Sequence, residues 1–179
     1  MKSPNIRRLG DHEPVIHPTA FIDPTAVIEG QVMIGAYSSV WAGAVIRGDD
    51  GPITIGESAV VLENCLVEAP SGHAVIIGDR SILGHHSIVH GATVGNDVLI
   101  GMGAIVLDFA VIGDGVLIGA GALVRQSQQV PPAKVAFGVP ARIARDISDA
   151  DREYMVAEVA REARLSRLYR RLLEEEAAD

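Results

Sequence analysis

The sequence predicts a mainly β fold: a left-handed parallel β-helix of hexapeptide repeats, a triangular prism, closed by a C-terminal α-helix. Three observations carry this. Aliphatic residues recur every six positions over most of the chain. Aromatic residues (Phe, Trp and Tyr) are scarce, at 4% against 48% hydrophobic overall, so the core must be filled by Ile, Val, Leu and Ala. The pattern then changes beyond Pro131-Pro132, and from Asp149 it becomes helical.

The six-residue rhythm opens with Ile16, Ile22, Ile28, Ile34, Val40 and Ile46. It returns as Ile55, Val61 and Val67, then as Ile77, Leu83 and Val89. It ends with Val94, Ile100, Val106, Ile112, Ile118, Val124 and Val130. A period of six fits neither an amphipathic helix nor a heptad. It does fit a short strand plus a corner, three of which close one coil, with the aliphatic anchor pointing inward and stacking on its equivalents. Glycine often follows the anchor, as in Ile34-Gly35, Ile77-Gly78 and Ile100-Gly101. Glycine and small polar residues are expected at the corners, where positive φ or a tight approach is needed.

The rhythm breaks three times. Ile46 to Ile55 carries about three extra residues, expected to bulge at Gly48-Asp49-Asp50-Gly51-Pro52. Val67 to Ile77 makes a loop around Ala69-Pro70-Ser71-Gly72-His73, and Val89 to Val94 is a shortened rung. Interruptions of a regular scaffold are where function tends to sit. The chain divides into the β-helix, 1–137, and a turn with C-terminal helix, 138–179, packing on the prism or a neighbouring subunit. Ser148 is the expected N-cap with Asp151 at N3. Val156, Val159, Ala160, Ala163, Leu168, Leu172 and Leu173 form the expected apolar stripe, with Arg170/Glu174 and Arg171/Glu175 paired on the wet side.

A formal net charge of −8 argues against a nucleic-acid partner, whose phosphates would be repelled. The single cysteine, Cys65, excludes an intrachain disulfide and is expected to be a small buried hydrophobe. Without a signal-like leader or a long apolar run, the expectation is a cytoplasmic protein that does not enter membranes.

Counting rungs shows which side chains meet. Residues three rungs apart stack about 4.8 Å apart, so Val67 lies on Ile46 and Val89 on Val67. The residues after these anchors form a column of Arg47, Glu68 and His90, with Leu107 above. A second column holds Glu63 and His85. One subunit cannot easily bring His85 to Glu68 and His90, but two prisms side by side can, and closed symmetry suits a homotrimer.

Arg47-Gly48-Asp49, Gly84-His85, His90-Gly91, Ile100-Gly101-Met102-Gly103 and the Gly138-Val139-Pro140-Ala141 turn resemble the γ-class carbonic anhydrase signature, over nearly the whole chain. The resemblance implies a zinc site at a trimer interface, with His85 and His90 as two of three ligands. Glu68 falls where the family has its first histidine, giving a metal set of His85, His90 and Glu68 that could also take Fe2+ or Co2+. Arg47 and Asp49 match an intersubunit salt bridge near the metal. Leu62 and Glu63 replace a Gln and an Asp that hold the zinc-bound hydroxide, so Arg47, Asp49 and Glu63 form the implied catalytic group. A family tyrosine falls at Ala136, and the acidic loop that shuttles protons in some members is absent.

The implied activity is reversible CO2 hydration by metal-bound hydroxide, with CO2 or bicarbonate as small-molecule substrate. Exchanging one neutral imidazole for a carboxylate weakens the Lewis acid. Glu68 has an alternative, an ion pair with Arg47 directly beneath it. His86 reads as an exposed neighbour, His73 as a loop residue or substitute ligand or shuttle, and His12 and His17 carry no signal. Two other functions stay open: an acyltransferase using acyl-CoA, and a non-catalytic trimeric scaffold or binding protein.

Overall fold

Each repeat provides little more than two residues of strand before the next corner. Most strands obey this, as in Ile82–Leu83, Leu99–Ile100 and Leu117–Ile118. A computed structural model describes residues 5–176. It is a parallel solenoid of about seven turns, matching a left-handed β-helix, with a C-terminal helix, α1 (Asp149–Glu176).

Three faces surround the core. The A face carries Leu66–Glu68, Ile88–His90, Ile105–Val106 and Leu123–Val124. The B face carries Val75–Ile77, Thr93–Val94, Val111–Ile112 and Gln129–Val130. The C face carries Ser39–Val40, Val60–Val61, the three strands named above and Lys134–Phe137. Anchors stack in the counted register: Ile46 on Val67, Val67 on Val89, Val89 on Val106, Val106 on Val124. All five are fully buried, and each contributes about 1.5–3 kcal/mol of apolar burial.

The corners use two devices. Non-glycine residues with positive φ, such as Asn64, Arg80, His86 and Asp97, all stand three places after an anchor. The glycines directly after anchors do something else. A Cβ on Gly101 would sit 2.5 Å from the backbone nitrogen of Ala120, and one on Gly78 would sit 2.4 Å from the carbonyl carbon of Gly95. These glycines let successive coils approach, while the left-handed turn itself falls two residues later.

The breaks resolve differently. The extra residues after Ile46 bulge as expected, within one continuous strand, Val45–Ile55, that runs from the A to the B face: its pairing with Val27–Ile34 passes from Gly30 opposite Gly48 to Val32 opposite Ile53, so residues 49–52 stand opposite Gln31 alone. The loop after Ala69 is a turn closed by the His73 nitrogen donating to the Pro70 carbonyl at 3.0 Å. The His73 ring lies edge-on to Phe109 at 4.2 Å.

After the Gly138–Ala141 turn, Arg142–Asp146 pairs antiparallel with Lys134–Phe137. Ser148 and Asp151 then form the expected reciprocal cap, 3.2 Å from the Asp151 nitrogen to Ser148 Oγ and 2.8 Å from the Ser148 nitrogen to Asp151 Oδ2. Arg145, followed by Ser148, holds the Asp151 carboxyl below its ordinary range.

The register of α1 differs from the expected stripe. Val156, Leu168 and Leu172 are exposed, whereas Met155, Glu162 and Ser166 are buried against the prism with Val159, Leu165 and Leu173 partly covered. Tyr169 packs on Trp41 and Phe21, with ring centroids 5.2 and 6.4 Å away. Arg170 is not on the wet side: it donates to the carbonyls of Thr19, at 2.9 Å, and Ala20. A 3.6-residue period admits neighbouring stripes, and these aromatic and carbonyl partners, distant in sequence, select between them.

Gly101→Ala should therefore destabilise by about 1–3 kcal/mol or more through overpacking. Gly103→Ala, at φ +65° with open space around it, should cost only about 1 kcal/mol. Urea unfolding of the two variants checks this; equal midpoints would contradict the close-approach role.

Candidate functional site

The A-to-B corner carries the first column. Strand pairing places Glu68 opposite both Arg47 and His90. A guanidinium nitrogen of Arg47 donates to Glu68 Oε1, and Arg47 Nε lies 3.3 Å from Asp49 Oδ2. Glu68 first, then Asp49, raise the guanidinium pKa above its ordinary value. The Arg47 side chain is 43% exposed, so this ion pair contributes only about 0–1 kcal/mol. Removing one partner would not strand a dry charge.

His90 Nε2 lies 3.8 Å from Glu68 Oε1. Its Nδ1 is 2.7 Å from Asp108 Oδ1, and since a carboxylate only accepts, Nδ1–H donates, which in the neutral ring puts the lone pair on Nε2. Asp108 was not among the expected residues. Counting rungs puts Leu107 above His90, but the next residue reaches it over Gly91, where an added Cβ would stand 2.6 Å from Asp108 Oδ1.

The C-to-A corner carries the second column. Leu83 pairs with Val61, and His85 Nδ1 lies 2.7 Å from Glu63 Oε2. That oxygen is buried and has no aligned hydrogen-bond partner, so the contact with His85 is a close approach rather than a hydrogen bond. Glu63, expected in the catalytic group, therefore sits at the Nδ1 side of His85. Beneath this turn Cys65 Sγ approaches the Gly84 carbonyl at 3.1 Å, and burial raises its thiol pKa. His86 is exposed, at a left-handed corner with φ +60°.

The two columns bound the same A face at opposite edges. Among the described residues no group of three or more His, Cys, Asp or Glu side chains is placed to hold a metal ion within one chain. Along the face between them, Val45, Leu66, Ile88, Ile105 and Leu123 point outward, each half-buried.

Residues 13–48 and 91–126 match the family described as bacterial transferase hexapeptide (six repeats). The "Probable carbonic anhydrase" of Methanocaldococcus jannaschii is 43% identical over 141 residues, spanning 79% of this chain and 89% of that protein. The chain belongs to the γ-carbonic-anhydrase-like family of hexapeptide-repeat proteins. The mitochondrial gamma carbonic anhydrase 1 of Arabidopsis thaliana is 35% identical over 147 residues, covering 79% of this chain but 54% of its own length. The chain thus spans about half the length of that plant relative. Among solved structures, a Bacillus cereus protein assigned as an acetyltransferase superposes with a TM-score of 0.91 at 37% identity, covering 92% of this chain and 96% of its own.

Within this γ-carbonic-anhydrase-like chain the family's tyrosine position, Ala136, is buried on the C face. The sequence reading gave α1 no part in the site. Yet Tyr154, Glu158, Arg161 and Glu162 line a cavity of about 210 Å³ together with His85, Leu62 and Met102. No helix among the described residues is long and apolar enough to cross a membrane.

Asp108→Ala should release His90 from its single tautomer. Nitrogen NMR of the metal-free protein should show Nδ1 protonated in the wild type and a mixture of tautomers in the variant. An unchanged tautomer would contradict the positioning by Asp108.

Proposed function

We propose that this protein is a metal-dependent hydratase of the carbonic anhydrase type, working at sites shared between subunits of a homotrimer. The observation that carries the reading is the pair of carboxylate-backed histidines. Asp108 holds Nδ1 of His90 and Glu63 lies against Nδ1 of His85, which leaves Nε2 of each ring for a metal, the arrangement typical of metal-ligating imidazoles. The aliphatic outer row of the A face supports the assembly. Three copies turning this face to a common axis would bury it and bring His85 of one subunit towards Glu68 and His90 of the next.

These residues fit a zinc-type donor set of two imidazoles and a carboxylate, with Fe2+ or Co2+ chemically admissible. Glu68 is paired with Arg47, but a half-exposed pair is too weak to hold it against a divalent cation. Its two oxygens also allow it to serve both. The metal would supply a Lewis acid that makes water a nucleophile near neutral pH. Arg47 and Asp49 order the Glu68 side of the site, and Glu63 orients His85. The substrate class is a small neutral molecule or its anion, CO2 and bicarbonate. The names of the bacterial structural relatives favour a second reading, transfer of an acyl group from acyl-CoA. Chelator-resistant consumption of acetyl-CoA would support it.

Metal analysis of purified protein tests the proposal. His85→Ala, His90→Ala and Glu68→Ala should each lose most bound metal, while His86→Asn should keep it, and Asp108→Ala, which frees the His90 ring, should weaken affinity about 10–100-fold. Undiminished metal in Glu68→Ala would remove that residue from the set, and a metal-free wild type of monomeric mass would refute the reading as a whole. Glu68→His restores a neutral ligand set, so CO2 hydration should rise at equal metal loading.

A further inference from the structure

The prism-facing stripe of α1 contains an anomaly. Met155, Glu162 and Ser166 are its buried residues, at 7%, 4% and 6% exposure. An apolar residue at position 162 would hold the helix to the prism without desolvating a carboxylate, which is costly even when paired. The pairing is thin. Arg161 Nη1 lies 2.5 Å from Glu162 Oε1, but the Arg161 side chain is 54% exposed while that of Glu162 is 5% exposed.

The charged and titratable groups acting on Glu162 are Arg161 and Glu158 from α1 and Glu63 and His85 from the prism. Burial raises the carboxyl pKa above its ordinary value, Glu63 and Glu158 add to this, and Arg161 and His85 oppose it. Glu162 also lines the cavity shared by His85 and Leu62. Met102, Tyr154 and Arg161, each half exposed or more, line the same cavity and open it to solvent. A buried acid in the wall of a cavity that holds a site histidine and also reaches solvent is the placement expected of a group that passes protons.

Resting on the hydratase reading, we propose that Glu162 is the proton-relay residue of the site beside His85. Hydration of CO2 by water yields bicarbonate and one proton, which must leave at every turnover. The Glu162 carboxylate accepts that proton, forming an O–H bond as the O–H bond of water breaks. It then returns to carboxylate by handing the proton to a buffer base on the side of Tyr154 and Arg161. The relay is thus carried by the C-terminal helix rather than by a loop of the prism.

Glu162→Gln keeps the shape and removes the titration. In the full-length, metal-loaded trimer it should leave metal content and kcat/KM for CO2 within about twofold of wild type. It should lower kcat at least about tenfold in dilute buffer, and concentrated imidazole should restore it. Wild-type kcat in dilute buffer for Glu162→Gln would overturn the relay and leave the hydratase standing. A wild type that hydrates no CO2 would instead overturn the hydratase, and the relay with it.

Melting of the metal-free proteins provides a readout independent of turnover. The raised carboxyl pKa favours the neutral form in the folded state, so its stabilising effect is present at low pH and lost as pH rises through the folded value. Glu162→Gln should therefore melt above wild type at pH 8, and the difference should shrink as pH falls towards the ordinary carboxylate range. Parallel melting profiles would overturn the proposal.

Discussion

Every placement in this molecule depends on the stacking of aliphatic anchors from coil to coil. A β-strand that slips by one residue turns its side chains inside out, and in a three-sided coil such a slip would expose Ile, Leu and Val on all faces. Insertions can therefore lengthen the path between anchors but cannot displace them. That is why Arg47, Glu68 and His90 remain one column although the coils that separate them differ in length. The same rule keeps His85 above Glu63. The solenoid works as a ruler on which chemistry can be marked at fixed positions.

On that ruler the polar groups come as carboxylates facing cations or imidazoles: Glu68 with Arg47, Asp108 with His90, Glu63 with His85. Their exposure decides their worth. The Arg47 pair is half wet and contributes little to stability, so Glu68 can exchange partners. Glu162 is the dry member. It is buried, its ion-pair partner Arg161 is half exposed, and its carboxyl consequently departs from ordinary behaviour. A modest difference in burial thus separates carboxylates that orient neighbours from one suited to carry a proton.

The fold was legible because a six-residue period admits few alternatives, and the columns followed from counting. Register on α1 was not. Met155 and Val156 are equally apolar, and contacts outside the helix decide which faces inward: Val135 and Ile147 around Met155, and Phe21, Trp41 and the carbonyls near Thr19 around Tyr169 and Arg170. Asp108 was missed for a local reason, since it reaches His90 through the space that Gly91 leaves by lacking a side chain. Glu162 looked like one acid among many on a charged helix. Its meaning comes from what it faces.

Stacked-coil proteins are close to one-dimensional, and each coil touches only its neighbours, so their ends can fray independently of the middle. Here α1 starts beside the last strand pair, at Asp149, and its Arg170 reaches the carbonyls of Thr19 and Ala20 near the beginning of the solenoid. The two ends are thereby joined by one rigid strut. Peeling off the first coil means breaking the Arg170 contacts, and lifting the helix uncovers the C face along most of its length. A chain that could melt coil by coil is tied into a single cooperative unit, and a proteolytic cut in the short turn before the helix should loosen both ends at once.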